Sequence, residues 1–283
     1  MSSRVGVRSR NDEHSYQPSL GEPRYSQSLE RGLAILGCFS PERPVLGIAE
    51  LADDLGMSRS TVHRYVSTLV ALGFLEQGAS RRYRLGLRVT DLGMSALNST
   101  GLREHSRAYL EDLRQRSGYT VSLAVLDGPE ILYVDRARSF RRGQHKIDMN
   151  LRVGSRLPAY CTSLGKTLLA FLPDADQHDL LVQMVLAKRG PHTITSRRAL
   201  LAELENVSDD GFAVNEEELA TGLVSIAVPV RTENREVIAA VNMVAHTSMI
   251  QLEDLVDQLL PHLRATADQI SARLGFRRDD ATR

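Results

Sequence analysis

One side of the stretch 58–75 carries side chains that can bind phosphate oxygens and base edges. These side chains are Ser58, Arg59, Ser60, Thr61, His63, Arg64 and Ser67. Hydroxyl and guanidinium groups donate hydrogen bonds to the DNA backbone and to bases in the major groove. Five arginines and one glutamate, Glu76, lie between Ser58 and Arg84. We therefore predict that this stretch contacts double-stranded DNA.

The other side of the same stretch is apolar at helical spacing. Val62, Val66, Leu69 and Val70 recur at positions i, i+4, i+7 and i+8. Ser58 is a suitable N-cap, and Gly73 can end the helix. A second amphipathic helix is predicted from Ile48 to Gly56, so only a tight turn fits before Ser58. Two helices joined in this way form a helix-turn-helix.

A short hairpin is predicted directly after these two helices. Two runs, 74–77 and 83–85, flank the basic glycine turn 78–82. Such a hairpin is the wing of a winged helix-turn-helix, and we expect Arg81 and Arg82 to contact DNA from it. The alternative is a pair of ordinary packed helices with a solvated charged face. The basic turn and the hydroxyl-rich side make that alternative less favourable.

Length and composition limit the kinds of protein that this chain can be. Its 283 residues are enough for two domains, and 42% hydrophobic with 25% charged residues is typical of a globular protein. The net charge is zero, so the basic stretch is a local feature. Two distant cysteines, Cys38 and Cys161, give no disulfide framework. With no membrane-spanning run and no signal peptide, we expect a cytoplasmic location.

The pattern along the chain predicts an α+β protein with two domains. We expect a disordered tail at 1–25, a winged helix-turn-helix domain at 26–86, a linker helix at 87–101, a second domain at 102–276 and a tail at 277–283. The first helix, 26–39, should direct Leu29, Leu33, Leu36 and Phe39 toward the core. The linker helix has an apolar stripe that needs a partner, either the second domain or another copy of the chain.

The second domain combines strand and helix patterns. Strands are predicted at 120–127, 130–136, 222–230 and 236–245, with a further strand within 147–157. Helices are predicted at 102–116, 161–171, 180–187, 197–206 and 252–274, and a loop at 138–146.

Motifs for catalysis or metal binding are not found in the sequence. Residues 165–167, Gly-Lys-Thr, resemble the end of a phosphate-binding loop, but Tyr160 stands where the required glycine would be. Cys161 has no assignable partner histidine, and the eight histidines show no metal-ligand spacing. We therefore predict no enzyme activity, no metal and no cofactor. Two alternatives stay open: an enzyme acting on a small organic acid with the N-terminal domain as a dimerisation module, and a DNA-packaging protein without an effector.

A second domain without a reaction centre suits a ligand sensor attached to a DNA-binding domain. Ligand binding would shift a conformational equilibrium and thereby alter DNA affinity. Polar residues at helix starts or within apolar strands are the candidates, namely Thr162, Ser163, Ser225 and Asn242. The helix N-terminus at Ser163 suits a carboxylate. Each of these residues could instead satisfy an internal hydrogen bond.

Several of these segments together resemble the IclR family of bacterial transcription regulators. The segments are SLERGLAILGCF, IAELADDLGMSRSTVHRYVSTLVALGFLE, the YRLG wing, RVGSRLPAYCTSLGKTLLAFLP, DGFAVNEEELATGLVSIAVPV and AAVNMVA. The resemblance covers residues 26–274. The segment QHKIDMNLRVGSRLPAYCTSLGK is similar to the branch that controls aromatic-acid catabolism through protocatechuate and β-ketoadipate.

The resemblance implies a fold, partners and a set of ligand positions. It implies a winged helix-turn-helix, a linker helix and a GAF-like α/β effector-binding domain, acting as a homodimer or a dimer of dimers on palindromic operator DNA. The implied effector-binding positions are Ser163, Leu164, Asn215, Ser225, Asn242 and Val244, to which we add the neighbouring Cys161 and Thr162.

The implied effector of this branch is a small carboxylate, either an aromatic acid or a β-ketoadipate-like acid. Glyoxylate-responsive members have smaller residues at Ser163 and Leu164 and an acid at Asn215. A nearby cation could bind the carboxylate bidentately. The candidate cations are Arg136, Arg138, Arg141 and Arg152.

Overall fold

The chain divides into two units, which we describe from a computed structural model. The structure describes residues 25–78, 80–98, 101–140 and 151–277, and the boundary between the units follows Met94. The predicted tails lie outside the described residues except for Tyr25 and Arg277, as do Arg141 and most of the predicted loop at 138–146. Every helix among the described residues is too short or too polar to traverse a lipid bilayer.

The first unit contains a cluster of three helices followed by a hairpin and the first residues of a fourth helix, which continues past Met94 into the second unit. Its elements are α1 (Gln27–Gly37), α2 (Ile48–Leu55), α3 (Arg59–Ala71), β1 (Leu75–Gln77), β2 (Tyr83–Leu85) and α4 (Arg88–Asn98). Gly56 ends α2 in the left-handed conformation, with φ of 61°, which favours glycine. The Ser58 hydroxyl oxygen accepts a hydrogen bond from Thr61 N at 3.2 Å and starts α3. The predicted winged helix-turn-helix is therefore confirmed.

The inward face of α1 differs from the prediction at its N-terminal end. Leu29 and Leu33 are 64% and 58% exposed, whereas Ile35 and Phe39 lie in the core with Leu36 packed against it. The helix carries two adjacent apolar stripes, and α2 and α3 cover only the stripe through Ile35 and Phe39. The sequence pattern alone does not show which of two neighbouring stripes is covered.

The second unit is built on a six-stranded antiparallel sheet of order β5-β4-β3-β8-β7-β6. Its strands are β3 (Thr120–Asp127), β4 (Glu130–Ala137), β5 (Arg156–Pro158), β6 (Ala213–Glu216), β7 (Leu223–Arg231) and β8 (Val237–His246). Its helices are α5 (Leu102–Ser117), α6 (Ser163–Ala170), α7 (Asp174–Gln183), α8 (Arg197–Asp210) and α9 (Leu252–Arg273).

Helices cover both faces of this sheet. One apolar core lies between the sheet and α6, α7 and α8, and a second lies between the sheet and α5 and α9. Because both faces are buried, β7 and β8 are apolar along almost their whole length. We call the side that packs on α6 the α6 face. The predicted α+β class is confirmed.

Two elements of the second unit differ from the sequence prediction. The helix predicted at 180–187 begins six residues earlier, at Asp174, and ends at Gln183. Acidic residues in its first turn favour this start because they interact with the positive end of the helix dipole. Strand β6 was not predicted, since a four-residue strand at a sheet edge gives too short a pattern to detect.

Candidate functional site

The exposed side of α3 and the wing form one polar surface. A cleft between them is lined by Ile48, Arg59, Ser60, His63, Ser67, Val70, Gln77, Arg81 and Tyr83. Sequence reasoning missed Gln77. Ser67, which lies one helical turn beyond His63, is on the side of α3 that the sequence predicts to be polar. Gln77 donates a hydrogen bond to the Tyr83 hydroxyl at 3.2 Å, a contact that only the hairpin register brings about.

The candidate residues at the start of α3 have two different roles. The Ser58 hydroxyl lies 2.8 Å from the Thr61 hydroxyl and also caps the helix, so both residues stabilise the N-terminus of α3. Arg59, His63 and Arg64 are exposed, and the Arg64 guanidinium lies 5.4 Å from the ring centre of Tyr65. The side chains available to a duplex are therefore mainly those on the first two turns of α3.

The three wing arginines are not equivalent. The Arg82 guanidinium donates hydrogen bonds to Val45 O at 2.9 Å and to Glu50 Oε1 at 3.0 Å, which ties the wing to α2. Arg84 donates to Glu76 on the opposite strand at 2.7 Å. Arg81 is exposed and forms no ion pair within the described part of the chain. Of the three, Arg81 has the guanidinium most available to phosphate.

A cavity of about 20 Å³ lies against the α6 face of the sheet. Its lining residues are Ser122, Tyr133, Arg136, Leu151, Leu157, Thr162, Ser163, Asn215, Leu219, Leu223, Ser225, Asn242 and Val244. Six of the eight predicted effector positions are in this list. Leu164 and Cys161 are not, because both are fully buried in the adjoining core. Sequence reasoning did not single out Ser122 or Tyr133, although Ser122, like Asn242, is a polar residue within a largely apolar strand.

Hydrogen bonds hold the polar wall of the cavity in place. The Ser163 and Ser225 hydroxyls lie 2.7 Å apart and join α6 to β7. Asn215 donates from Nδ2 to Cys161 O at 2.6 Å and accepts at Oδ1 from Glu218 N at 3.4 Å. The start of α6 is thus fixed to β7 and to the segment after β6.

The positive charge at the cavity comes from Arg136 on β4. Its guanidinium donates to Leu151 O at 2.5 Å and lies 6.0 Å from the ring centre of Tyr133. Burial lowers the pKa of Arg136, but a guanidinium stays protonated at neutral pH. Burial also raises the pKa of Tyr133 to about 12, so its phenol is neutral. Arg138, Arg152 and Val153 line a neighbouring cleft that shares Arg136 and Leu151.

A buried ion cluster lies behind the cavity, at the position of the rejected Gly-Lys-Thr motif. Lys166 is 1% exposed, and its Nζ donates to Glu218 Oε1 at 2.5 Å and to Glu203 Oε1 at 2.7 Å. Burial raises the pKa of Glu218, and the Lys166 charge opposes that effect. Gly165 is required for the same packing, because a Cβ there would lie 2.1 Å from Ala159 O. This cluster joins α6, α8 and the segment after β6.

Comparison with known proteins assigns the chain to a family. Residues 28–79 match the IclR helix-turn-helix domain, and residues 94–272 match the family described as bacterial transcriptional regulator IclR C-terminal. The chain belongs to the IclR family. As a member of it, the chain is a DNA-binding transcriptional regulator and not an enzyme.

Individual relatives include regulators named for aromatic-acid genes. The Pca regulon regulatory protein of Pseudomonas putida is 33% identical over 91% of this chain and 87% of its own. The p-hydroxybenzoate hydroxylase transcriptional activator of Acinetobacter baylyi is 34% identical over 87% of this chain and 91% of its own. The crystal structure of an IclR homologue from Microbacterium hydrocarbonoxydans, complexed with 4-hydroxybenzoate, superposes with a TM-score of 0.77. It is 29% identical over 87% of this chain and 98% of that one.

We predict that Lys166→Met destabilises the second unit by about 3–5 kcal/mol, because Glu218 is then buried without its cation. The folded-state pKa of Glu218 is already raised. A carboxyl whose folded pKa exceeds its unfolded pKa loses stability as pH rises through the folded value. The deficit should therefore be larger at about pH 8 than at about pH 5.

Urea unfolding at the two pH values measures this effect. Lys188→Met is the control, since Lys188 is exposed and the substitution is the same. If both variants lose the same free energy of unfolding, or if the loss in Lys166→Met does not change with pH, Lys166 does not neutralise Glu218.

Proposed function

We propose that this IclR-family regulator controls genes of aromatic-acid catabolism by binding a small carboxylate in the cavity on the α6 face. The observation that carries the proposal is the half-buried Arg136 guanidinium, the one charged group among the described residues that line the cavity. A carboxylate accepts charge-assisted hydrogen bonds from a guanidinium, and desolvation strengthens that attraction. The names of the relatives, and the 4-hydroxybenzoate complex of one homologue, support an aromatic acid.

The effector in this proposal contacts six of the predicted positions. They are Thr162, Ser163, Asn215, Ser225, Asn242 and Val244. Leu164 and Cys161 do not contact the effector in this proposal. Both pack in the core next to the cavity, and the Cys161 carbonyl accepts the hydrogen bond that positions Asn215. Arg138 and Arg152, in the neighbouring cleft, attract the anion toward Arg136.

Binding of an aromatic ring requires the cavity wall to move. A volume of about 20 Å³ accommodates roughly one water molecule. The ring therefore stabilises a more open arrangement of the second unit. A ligand that binds one of two arrangements more tightly shifts the equilibrium between them. This shift can couple the ligand site to a distant site.

The DNA contacts in this proposal are made by the polar surface of the first unit. Arg59, Ser60, His63 and Arg64 enter the major groove, Ser58 and Thr61 hold the helix start, and Arg81 reaches the backbone from the wing. The chain acts in the cytoplasm as a homodimer or a dimer of dimers on a palindromic operator. The exposed leucines Leu29 and Leu33 on α1, with Leu92 on α4, support association of copies.

Arg136→Met should weaken binding of protocatechuate, 4-hydroxybenzoate or β-ketoadipate, whichever binds the wild type, by about 10- to 100-fold. This is the usual range for one hydrogen bond to a charged group. Isothermal calorimetry on the full chain measures the effect. Arg156→Met is the control, because Arg156 pairs with Asp127 and does not line the cavity. Equal affinities of the two variants would remove Arg136 from the effector site.

Arg81→Ala and Arg82→Ala should differ in the salt dependence of operator binding. Removing a phosphate contact lowers the slope of log K against log salt by about 0.9. We expect that change for Arg81, whereas Arg82 neutralises Glu50 and its loss should leave the slope almost unaltered. Gel-shift titrations on the DNA upstream of the protein's own gene, with competitor DNA present, measure both slopes. Equal slope changes would contradict the distinction.

A further inference from the structure

A row of polar residues crosses three strands on the α6 face. Ser122 on β3 is paired with Arg136 on β4 and with Asn242 on β8. All three residues line the cavity. Neighbouring strands are about 4.8 Å apart, so the backbones of Arg136 and Asn242 are about 10 Å apart. Once the cavity wall has moved as the proposed function requires, an aromatic ring would span this row between the guanidinium and the amide.

Asn242 at the end of this row, and Ser122 between it and Arg136, have side-chain atoms without a hydrogen-bond partner among the described residues. Asn242 is 6% exposed, and its Oδ1 is buried with no partner in the described part of the chain. Ser122 is 2% exposed, and its hydroxyl makes no hydrogen bond with any described residue. Three other polar side chains of the wall are bonded, since the Ser163 and Ser225 hydroxyls bond each other and Asn215 donates to Cys161 O. Leaving a buried acceptor unpaired costs free energy, so Asn242 needs a donor from elsewhere.

The chemistry of this pair specifies what the ligand must carry. Directly opposed side chains on adjacent strands have Cβ atoms about 5 Å apart, so one oxygen can reach both. A phenol hydroxyl can donate to Asn242 Oδ1 while its oxygen accepts from the Ser122 hydroxyl. With the Asn242 amide oriented as in the structure, a second carboxylate can only accept and would leave Asn242 Oδ1 unpaired.

We infer that the cavity selects aromatic acids that carry a ring hydroxyl remote from the carboxylate, with Ser122 and Asn242 as the residues that recognise the hydroxyl. This inference rests on the proposed function, which places the carboxylate on Arg136. A site built to bind a hydroxyl rejects the analogue that lacks it, because its buried polar groups are then left without partners. Ser122 and Asn242 are thus specificity-determining residues, and Arg136 supplies affinity that all carboxylates share.

The test compares four acids on the full chain by isothermal calorimetry. They are 4-hydroxybenzoate, benzoate, 2-hydroxybenzoate and β-ketoadipate. We expect 4-hydroxybenzoate to bind about tenfold or more tightly than benzoate. We expect 2-hydroxybenzoate to bind like benzoate, since its hydroxyl lies beside the carboxylate and donates to it. β-Ketoadipate should bind more weakly than 4-hydroxybenzoate.

Substitutions then show which residues are responsible for the preference for 4-hydroxybenzoate over benzoate. Ser122→Ala and Asn242→Leu should each bring the affinity ratio of 4-hydroxybenzoate to benzoate close to one, while benzoate still binds. Ser106→Ala is the matched control, because Ser106 is buried in α5 and does not line the cavity, and it should leave the ratio unchanged. Benzoate binding by a variant shows that its cavity is intact.

Three other results are possible, and each contradicts a different part of the proposal. Equal wild-type affinities for benzoate and 4-hydroxybenzoate, or tighter binding of β-ketoadipate, would overturn this inference and leave carboxylate sensing intact. A preference that persists in both variants would overturn the assignment to Ser122 and Asn242. Failure of all four acids to bind the wild type would overturn the proposed effector class itself. The wild-type comparison stands even if a variant does not fold.

Discussion

A buried polar group needs a hydrogen-bond partner. In the second unit this constraint distinguishes the polar side chains that stabilise the fold from those that remain available to a ligand. Most polar side chains on the α6 face satisfy one another: Ser163 with Ser225, and Asn215 with the Cys161 carbonyl. Asn242 Oδ1 does not. The satisfied groups define the shape of the cavity wall, and in the proposed function the unsatisfied group is where a ligand supplies the missing donor. The same sheet face would then serve both as a framework and as a binding surface.

A buried ion cluster stabilises the elements that form the cavity wall. Lys166 joins α6 to Glu218 and Glu203, and Glu218 is held in turn by Asn215 at the cavity. A buried ion pair has strict geometric requirements, because its desolvation is offset only at close contact. Displacement of the wall by a ligand would strain this cluster or re-form it in a second arrangement. Two discrete arrangements of a packed element are the physical basis of a regulatory switch.

Sequence reasoning succeeded where local periodicity and caps decide the structure. Ser58 and Gly56 mark the turn of the helix-turn-helix, and strands β3 and β4 follow from apolar runs around Gly128 and Pro129. It failed where tertiary contacts decide. The covered stripe of α1 depends on α2 and α3, and the pairing of Arg82 with Glu50 depends on how the wing folds back.

In the candidate sites, too, local sequence patterns were predictable and tertiary contacts were not. A polar residue within an apolar strand, such as Asn242, could be recognised from the sequence alone. Whether its side chain finds a hydrogen-bond partner could not be recognised, because one of the two strands beside it, β3, is about 120 positions away in the sequence. Lys166 was set aside as part of an incomplete motif, and only the fold shows that it neutralises two glutamates.

The most direct test of the account is to measure operator affinity with and without a saturating aromatic acid, and acid affinity with and without operator. Ligand-controlled DNA binding requires both affinities to change by the same factor, which is typically about 5- to 150-fold. We predict this reciprocal change for the full chain. An operator affinity that stays constant while the acid is bound would contradict the account, because the cavity would then not be coupled to DNA binding.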